Sequence, residues 1–195
     1  DLRSLTLLDT DSVPLTREPV DLAEAGDDAL QRLRATGDGR GVTLHPPQGE
    51  VTTMTDRTHL DTILTNLVAN AITATPAGGS VAVTVGVHDG HPWIAVADTG
   101  VGISPQDQPR IFDRLYRVDD ARSREEGGSG LGLAIVRRLV DLLDARITLE
   151  STVGAGSTFT VVFPSADADA GSVQPNQPRI ERRIGDRRTN AGPQP

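Results

Sequence analysis

The feature that most restricts the fold of this chain is residues 60–76, LDTILTNLVANAITATP. Leu60, Ile63, Leu64, Leu67, Val68 and Ala71 recur at helical spacing, which predicts an amphipathic helix with one face in a core. Asn66 and Asn70 stand one turn apart on nearly the same side of that helix. Amide side chains beside a packed face are costly unless polar groups satisfy them. The pair therefore predicts a ligand, a metal, water or polar neighbours over the helix.

Composition narrows what that partner can be. The 195 residues carry a formal charge of −8 and suit one domain with additions at its ends. A negative chain lacks the basic face that neutralises phosphate backbones, so nucleic acid is not expected as a partner. No apolar run approaches the roughly 20 residues that span a bilayer, so no membrane contact by this segment is expected. The absence of cysteine removes disulfides, thiolate metal sites and cysteine nucleophiles. All 19 basic residues are arginine, so a Walker-type phosphate loop, a Schiff base and a protein-kinase ATP lysine are excluded as well.

Along the chain, residues 1–13 read as the end of a helix whose start lies upstream, with Leu2, Leu5 and Leu8 apolar and Pro14 as the stop. Residues 15–20 look extended, and Asp21 caps a short helix to about Leu33. Residues 37–41 read as a turn, 42–45 as a strand, and 51–54 as its partner. Asp56 is placed to cap the asparagine helix, and Pro76 with Gly78 and Gly79 ends it. A hairpin follows, 80–87 and 93–97, around His88-Asp89-Gly90-His91. Ser104-Pro105 opens a short helix towards Phe112. Residues 115–130 read as a mobile loop, 131–145 as a buried helix, and 146–151 with 157–163 as a second hairpin. From residue 164 the composition predicts a disordered tail containing Arg179, Arg182, Arg183, Arg187 and Arg188. The expected division is 1–14, 15–163 and 164–195. The expected fold class is α+β, a two-layer sandwich of a mixed, largely antiparallel sheet with helices on one face.

Three glycine-bearing stretches accompany the asparagine helix. Asp98-Thr99-Gly100-Val101-Gly102-Ile103 ends a strand; its carboxylate can accept from an amino group, and its glycines let a flat ligand approach backbone. By itself it is equally a tight turn. Gly127-Gly128-Ser129-Gly130-Leu131-Gly132-Leu133 runs into a helix, where unpaired N–H groups and the helix dipole suit phosphate oxygens. Its spacing does not match a dinucleotide fingerprint. Gly154-Ala155-Gly156-Ser157-Thr158-Phe159 alone is a hairpin turn.

In order, N-L-x-x-N-A, D-x-G-x-G-I, I-F-x-R-x-Y-R, G-x-G-L-G-L-A-I and G-x-G-S-x-F resemble the catalytic ATP-binding domain of bacterial sensor histidine kinases, within the ATPase superfamily shared with gyrase, Hsp90 and MutL. The resemblance spans about residues 20–163. It implies a Bergerat-type ATP-binding fold with ATP and Mg²⁺ as cofactors, Asn70 as the metal ligand, and Asp98 reading the adenine amino group. Gly100, Gly102 and Ile103 would shape the base pocket, and Gly128, Gly130, Leu131, Gly132 and Leu133 the phosphate loop. Thr73, Tyr116 and Thr158 would also touch nucleotide. Asn66 stands where hydrolysing relatives carry a catalytic glutamate; an amide takes no proton, which favours transfer over hydrolysis. Arg117 would contact the terminal phosphate through its fork of donors, with Arg114 as a lesser candidate.

Three positions depart from the family pattern. Thr73 and Ala74 replace a common lysine and aromatic. Leu115 replaces the second aromatic of the arginine-bearing box, as an apolar plug. None of His45, His59, His88 or His91 lies in a phosphoacceptor motif, and each reads as structural or solvent-facing. The resemblance therefore implies γ-phosphoryl transfer to a histidine outside this sequence, on an upstream dimerisation domain of which residues 1–14 are the remnant, or on a separate chain. A response regulator would be the onward partner. The domain alone would be monomeric and cytoplasmic, the cytosolic part of a membrane-associated sensor. The alternatives are an anti-sigma-type serine kinase and a nucleotide-binding regulator without transfer activity.

Overall fold

The computed structural model describes residues 15–116 and 130–165. The expected helix remnant, most of the glycine-rich loop, Arg117, Gly128 and the arginine tail lie outside the described residues. The chain enters through β1 (Glu18–Asp21), which pairs antiparallel with β3 (Thr52–Thr55) in a two-stranded ribbon. A five-stranded sheet has the order β2-β4-β5-β7-β6, formed by β2 (Thr43–His45), β4 (Ser80–His88), β5 (His91–Asp98), β7 (Gly156–Val162) and β6 (Arg146–Thr152). Its contacts are antiparallel except for β2 with β4.

Residues 42–45 and 51–54 were expected to pair with each other, and they do not. Apolar alternation marks a strand but carries no information about its partner. Pro46 and Pro47 lead the chain away after His45, and residues 52–55 reach β1 instead.

The first helix also departs from expectation. α1 (Leu22–Arg40) begins at the Asp21 cap, whose side chain accepts from Ala23 N–H, but runs past Leu33 through the expected turn. Gly37 is buried against the Leu44 side chain, where an added Cβ would stand 3.2 Å from Cγ, so packing overrides the poor helix propensity of glycine. The helix stops at Gly41, left-handed at φ +68°, whose N–H returns to the carbonyls of Asp38 and Gly37.

α2 (Arg57–Ala74) is the asparagine helix, and Asp56 caps it by accepting His59 N–H. Leu60, Ile63, Leu64, Leu67, Val68 and Ala71 are all buried, as their spacing requires. Each full burial of a leucine, isoleucine or valine among them is worth about 1.5–3 kcal/mol. The hairpin β4–β5 turns through Asp89 (φ +50°) and Gly90 (φ +77°), the positive-φ pair that matches strand twist.

No helix forms after Ser104. Its carbonyl accepts from both Asp107 and Gln108 N–H, and the next bonds, Arg110 to Asp107 and Asp113 to Arg110, keep the tighter i, i+3 step. Pro109 has no N–H to continue an α-helical ladder, so residues 104–113 remain a chain of turns. α3 (Gly132–Leu142) is shorter than its apolar pattern, closing at Leu143 and Asp144, the latter at φ +55°.

The three helices among the described residues lie over one face of the sheet, and their apolar sides meet Val81, Val83, Ile94, Val96, Ile147, Phe159 and Val161 in a single core. Phe112 meets Phe159 edge to face at 6.3 Å. No helix among the described residues is long and apolar enough to cross a membrane.

Candidate functional site

Two clusters flank the C-terminal half of α2, one at its end by Ala74 and one at Asn66 and Asn70. The first is built around Asp98, the last residue of β5, on the core side of the sheet and only 8 % exposed. Its Oδ1 accepts Gly100 N–H at 2.8 Å and Ser157 N–H at 3.3 Å. Burial pushes this carboxyl up, and the two N–H groups only partly offset it, so it stays above the usual carboxylate range. Oδ2 accepts no hydrogen bond among the described residues, and a carboxylate oxygen left open in that way suits an amino group.

The glycines beside Asp98 pack closely against the chain's own backbone. A Cβ on Gly100 would lie 2.4 Å from the Ala74 carbonyl oxygen, and one on Gly102 would lie 2.1 Å from that of Thr152. The chain's own backbone fills the space a side chain would take at either position. Gly100 and Gly102 thus shape the loop from behind, locking it to the end of α2 and to β6. Val101 N–H binds the Ala74 carbonyl, and Ile103 N–H binds Ser151 Oγ at 2.8 Å. That hydroxyl also reaches the Gly156 carbonyl and Ser157 Oγ, each at 3.0 Å.

The second cluster joins α2 to the start of α3. Asn66 and Asn70 are half-buried, and Asn66 Nδ2 donates to the Thr62 carbonyl at 2.8 Å. That bond turns Asn66 Oδ1 outward, towards Gly132. A Cβ on Gly132 would stand 2.9 Å from Asn66 Oδ1 and 3.8 Å from Asn70 Nδ2. Among the described residues no side chain caps the N-terminus of α3, whose first turn lies where the two amides face it. The donor set near this point is made of neutral amide oxygens. Among the described residues no three His, Cys, Asp or Glu side chains gather to cage a metal. Such a set fits a hard divalent ion that keeps waters and borrows phosphate oxygens, and does not fit a closed protein site.

The sequence pattern of the family described as Histidine kinase-, DNA gyrase B-, and HSP90-like ATPase matches residues 55–167, which contain both clusters. This chain belongs to that family. The histidine protein kinase DivJ of Caulobacter vibrioides is 38% identical over 180 residues, covering 91% of this chain and 30% of that protein. The sensor-like histidine kinase SenX3 of Mycobacterium tuberculosis is 40% identical over 147 residues, covering 75% and 36%. The chain thus spans about a third of the length of these curated relatives. Among solved structures, full-length ShkA in complex with AMPPNP superimposes with a TM-score of 0.73 at 27% identity, over 84% of this chain and 35% of that one. The α+β sandwich is that of histidine kinase ATPase domains.

Within this ATPase fold the remaining expected residues separate. Gly130, at φ +67°, accepts Leu115 N–H through its carbonyl at 3.0 Å, and Leu131 is buried at the start of α3. Leu133 is half-buried and packs on the core. Thr73 is exposed at the last turn of α2, where its carbonyl takes a 3.5 Å hydrogen bond from Arg40. Thr158 lies on the other sheet face: Ser157 and Phe159 face the helices, and strand alternation sends Thr158 away from them. Ser157, not Thr158, meets Asp98. Leu115 is not a plug, since it is 69% exposed at φ +64°. Tyr116 is half-buried and bonded to protein, its hydroxyl donating to Asp107. Arg114 is exposed. Ser151, Ser157 and Asp107 were missed by sequence reasoning; only Ser157 had a signal, its place two residues before Phe159 on one strand face.

His59 is structural, buried with Nδ1 2.6 Å from Asp56 Oδ1. His88 is exposed beside Asp89, and His91 Nδ1 contacts the Phe163 carbonyl.

Proposed function

We propose that this chain is the catalytic module of a two-component sensor histidine kinase, binding ATP with Mg²⁺ and passing the γ-phosphoryl group to a histidine outside the sequence given. The observation that carries the reading is the bare backbone of Gly132 against Asn66 Oδ1, with Asp98 buried beside the C-terminal end of the same helix. Adenine would enter over Asp98, whose carboxylate accepts from the exocyclic amino group. The phosphates would lie along α2 towards the first turn of α3. Asn70 would hold Mg²⁺, which supplies charge neutralisation between phosphate oxygens when bound.

Asn66 orients but takes no proton, because its amide has no basic lone pair and its nitrogen is engaged with Thr62. Water at the γ-phosphate therefore finds no general base in this side chain, while an incoming imidazole nitrogen needs none. In that transfer a nitrogen–phosphorus bond forms, the bond to the β–γ bridging oxygen breaks, and ADP leaves. Arg117 is the side chain we assign to the terminal phosphate.

The phosphoacceptor histidine is assigned to a dimerisation domain of the same protein or to a separate chain. An aspartate of a response regulator would take the group onward. The module belongs on the cytoplasmic side of a membrane-associated sensor. Labelled ATP incubated with this chain and a histidine-bearing domain is expected to give acid-labile label on that domain. Acid-stable label would make it a serine kinase, and ATP binding without transfer to any supplied domain would leave a nucleotide-binding regulator.

A further inference from the structure

Residues 104–116 join the two clusters, and their polar side chains form an ordered set. Ser104 Oγ donates to Asp107 Oδ2 at 2.8 Å, and the Tyr116 hydroxyl donates to Asp107 Oδ1 at 2.7 Å. One carboxylate thus ties the first residue of the segment to the last. The Arg110 guanidinium carbon stands 4.4 Å from the Tyr116 ring centroid and grips the ring by its face. Gln108 Nε2 donates to the carbonyls of Ile103 and Ser151, which fastens the segment to the loop after Asp98.

The other end reaches the phosphate side. Leu115 sits at φ +64° and gives its N–H to the Gly130 carbonyl. A left-handed leucine costs about 1–2 kcal/mol, so its neighbours must hold it there. Tyr116, anchored one residue later, does so. Gly130 lies two residues before Gly132, whose backbone meets Asn66 Oδ1.

We infer that Asp107 is a positioning residue of the nucleotide site: by gripping the Tyr116 hydroxyl it fixes the backbone at Leu115 and Gly130, and so sets the first turn of α3 over Asn66 and Asn70. This rests on the ATP-binding reading above and adds to it a side chain that touches no nucleotide. Tyr116 then serves through its hydroxyl on the protein. The carboxylate hydrogen bond raises the phenol pKa of Tyr116, and the same bond lowers that of Asp107.

The test compares magnesium-dependent ATP affinity with adenosine affinity in the full chain and in Asp107→Ala, Asp107→Asn, Tyr116→Phe and the Asp107→Ala/Tyr116→Phe double variant. Losing a hydrogen bond to a charged group, Asp107→Ala and Tyr116→Phe should each weaken ATP binding about tenfold while adenosine affinity holds. The double variant should be no worse than either single one, because the two side chains act as a unit. Asp107→Asn keeps an acceptor and should restore most of the ATP affinity. Tyr116 is the chain's one tyrosine, so ultraviolet titration of the phenol reads the contact directly. In Asp107→Asn it should ionise at lower pH than in the wild type. Tyr116→Phe keeps the ring and the Arg110 contact, so it stands as a test even if Asp107→Ala folds poorly. Equal losses for ATP and adenosine, no loss, or additive losses would each overturn the inference. A wild-type chain that binds no ATP would instead sink the underlying reading, and this inference with it.

Discussion

Gly132 and Asn66 meet with nothing between them: a Cβ on Gly132 would stand 2.9 Å from Asn66 Oδ1. Gly132 is the first residue of α3, where alanine is the better helix former by about 1 kcal/mol. Stability and function therefore pull in opposite directions at this position. Gly132→Ala should leave the melting temperature unchanged or higher, yet weaken magnesium-dependent ATP binding about tenfold by crowding the amide pair. Calorimetric titration beside a thermal melt checks both halves. ATP affinity equal to the wild type would remove Gly132 from the site.

Asp98 gives a pH signature. Burial raises its carboxyl pKa, so it protonates at higher pH than an exposed aspartate. Only the ionised form is a pure acceptor for an amino group. Affinity for adenosine should fall as pH drops through this raised pKa, and Asp98→Asn should weaken binding by about tenfold and flatten the profile. The effect on folding has the reverse sign. The folded state binds this proton more tightly than the unfolded chain, so Asp98 favours folding as pH falls and disfavours it as pH rises through the same window. Binding measured across a pH series, together with denaturation at the same pH values, separates the two.

Gly100→Ala tests the packing behind the loop. The new Cβ would lie 2.4 Å from the Ala74 carbonyl oxygen, which is backbone and cannot swing aside. A cost of about 2–4 kcal/mol is expected, seen as a lower urea midpoint with adenosine binding lost in parallel.

Asp56 joins the entry of the chain to the asparagine helix. Its Oδ2 accepts Thr16 N–H at 2.8 Å and its Oδ1 accepts His59 N–H at 2.9 Å. Burial raises its pKa, but the Thr16 and His59 hydrogen bonds outweigh that, and the net direction is downward. The stability it contributes is present above the ordinary carboxylate pKa and is lost as pH falls through the depressed one. Asp56→Ala should cost about 2 kcal/mol at neutral pH, from the lost helix cap and the lost Thr16 N–H bond. Denaturation of the variant at neutral and at low pH should show that difference shrinking.

Much of this arrangement was legible before any coordinates. Helical spacing placed Leu60, Ile63, Leu64, Leu67, Val68 and Ala71 inward, because a 3.6-residue period leaves one face for the core. Asp21 and Asp56 were readable as caps because a short acceptor before a helical run satisfies its first N–H groups. The hairpin at Asp89-Gly90 followed from turn chemistry. Strand partners were not legible: nothing in residues 42–45 or 51–54 says whether they face each other, and they do not. Gly37 misled for a related reason, since its neighbour across space, Leu44, decides whether a glycine ends a helix.

The sequence by itself determined which chemistry is present: two amides on one helix face, a carboxylate at a strand end, and glycines at the start of a second helix. Those are consequences of local periodicity and residue type. Only the tertiary structure decided that Gly100 and Gly102 meet the chain's own backbone, that Ser157 rather than Thr158 reaches Asp98, and that Leu115 faces solvent while Asp107 holds Tyr116. Each of these depends on which distant residue fills the adjoining space, and that is fixed by packing across the fold rather than by neighbours along the chain.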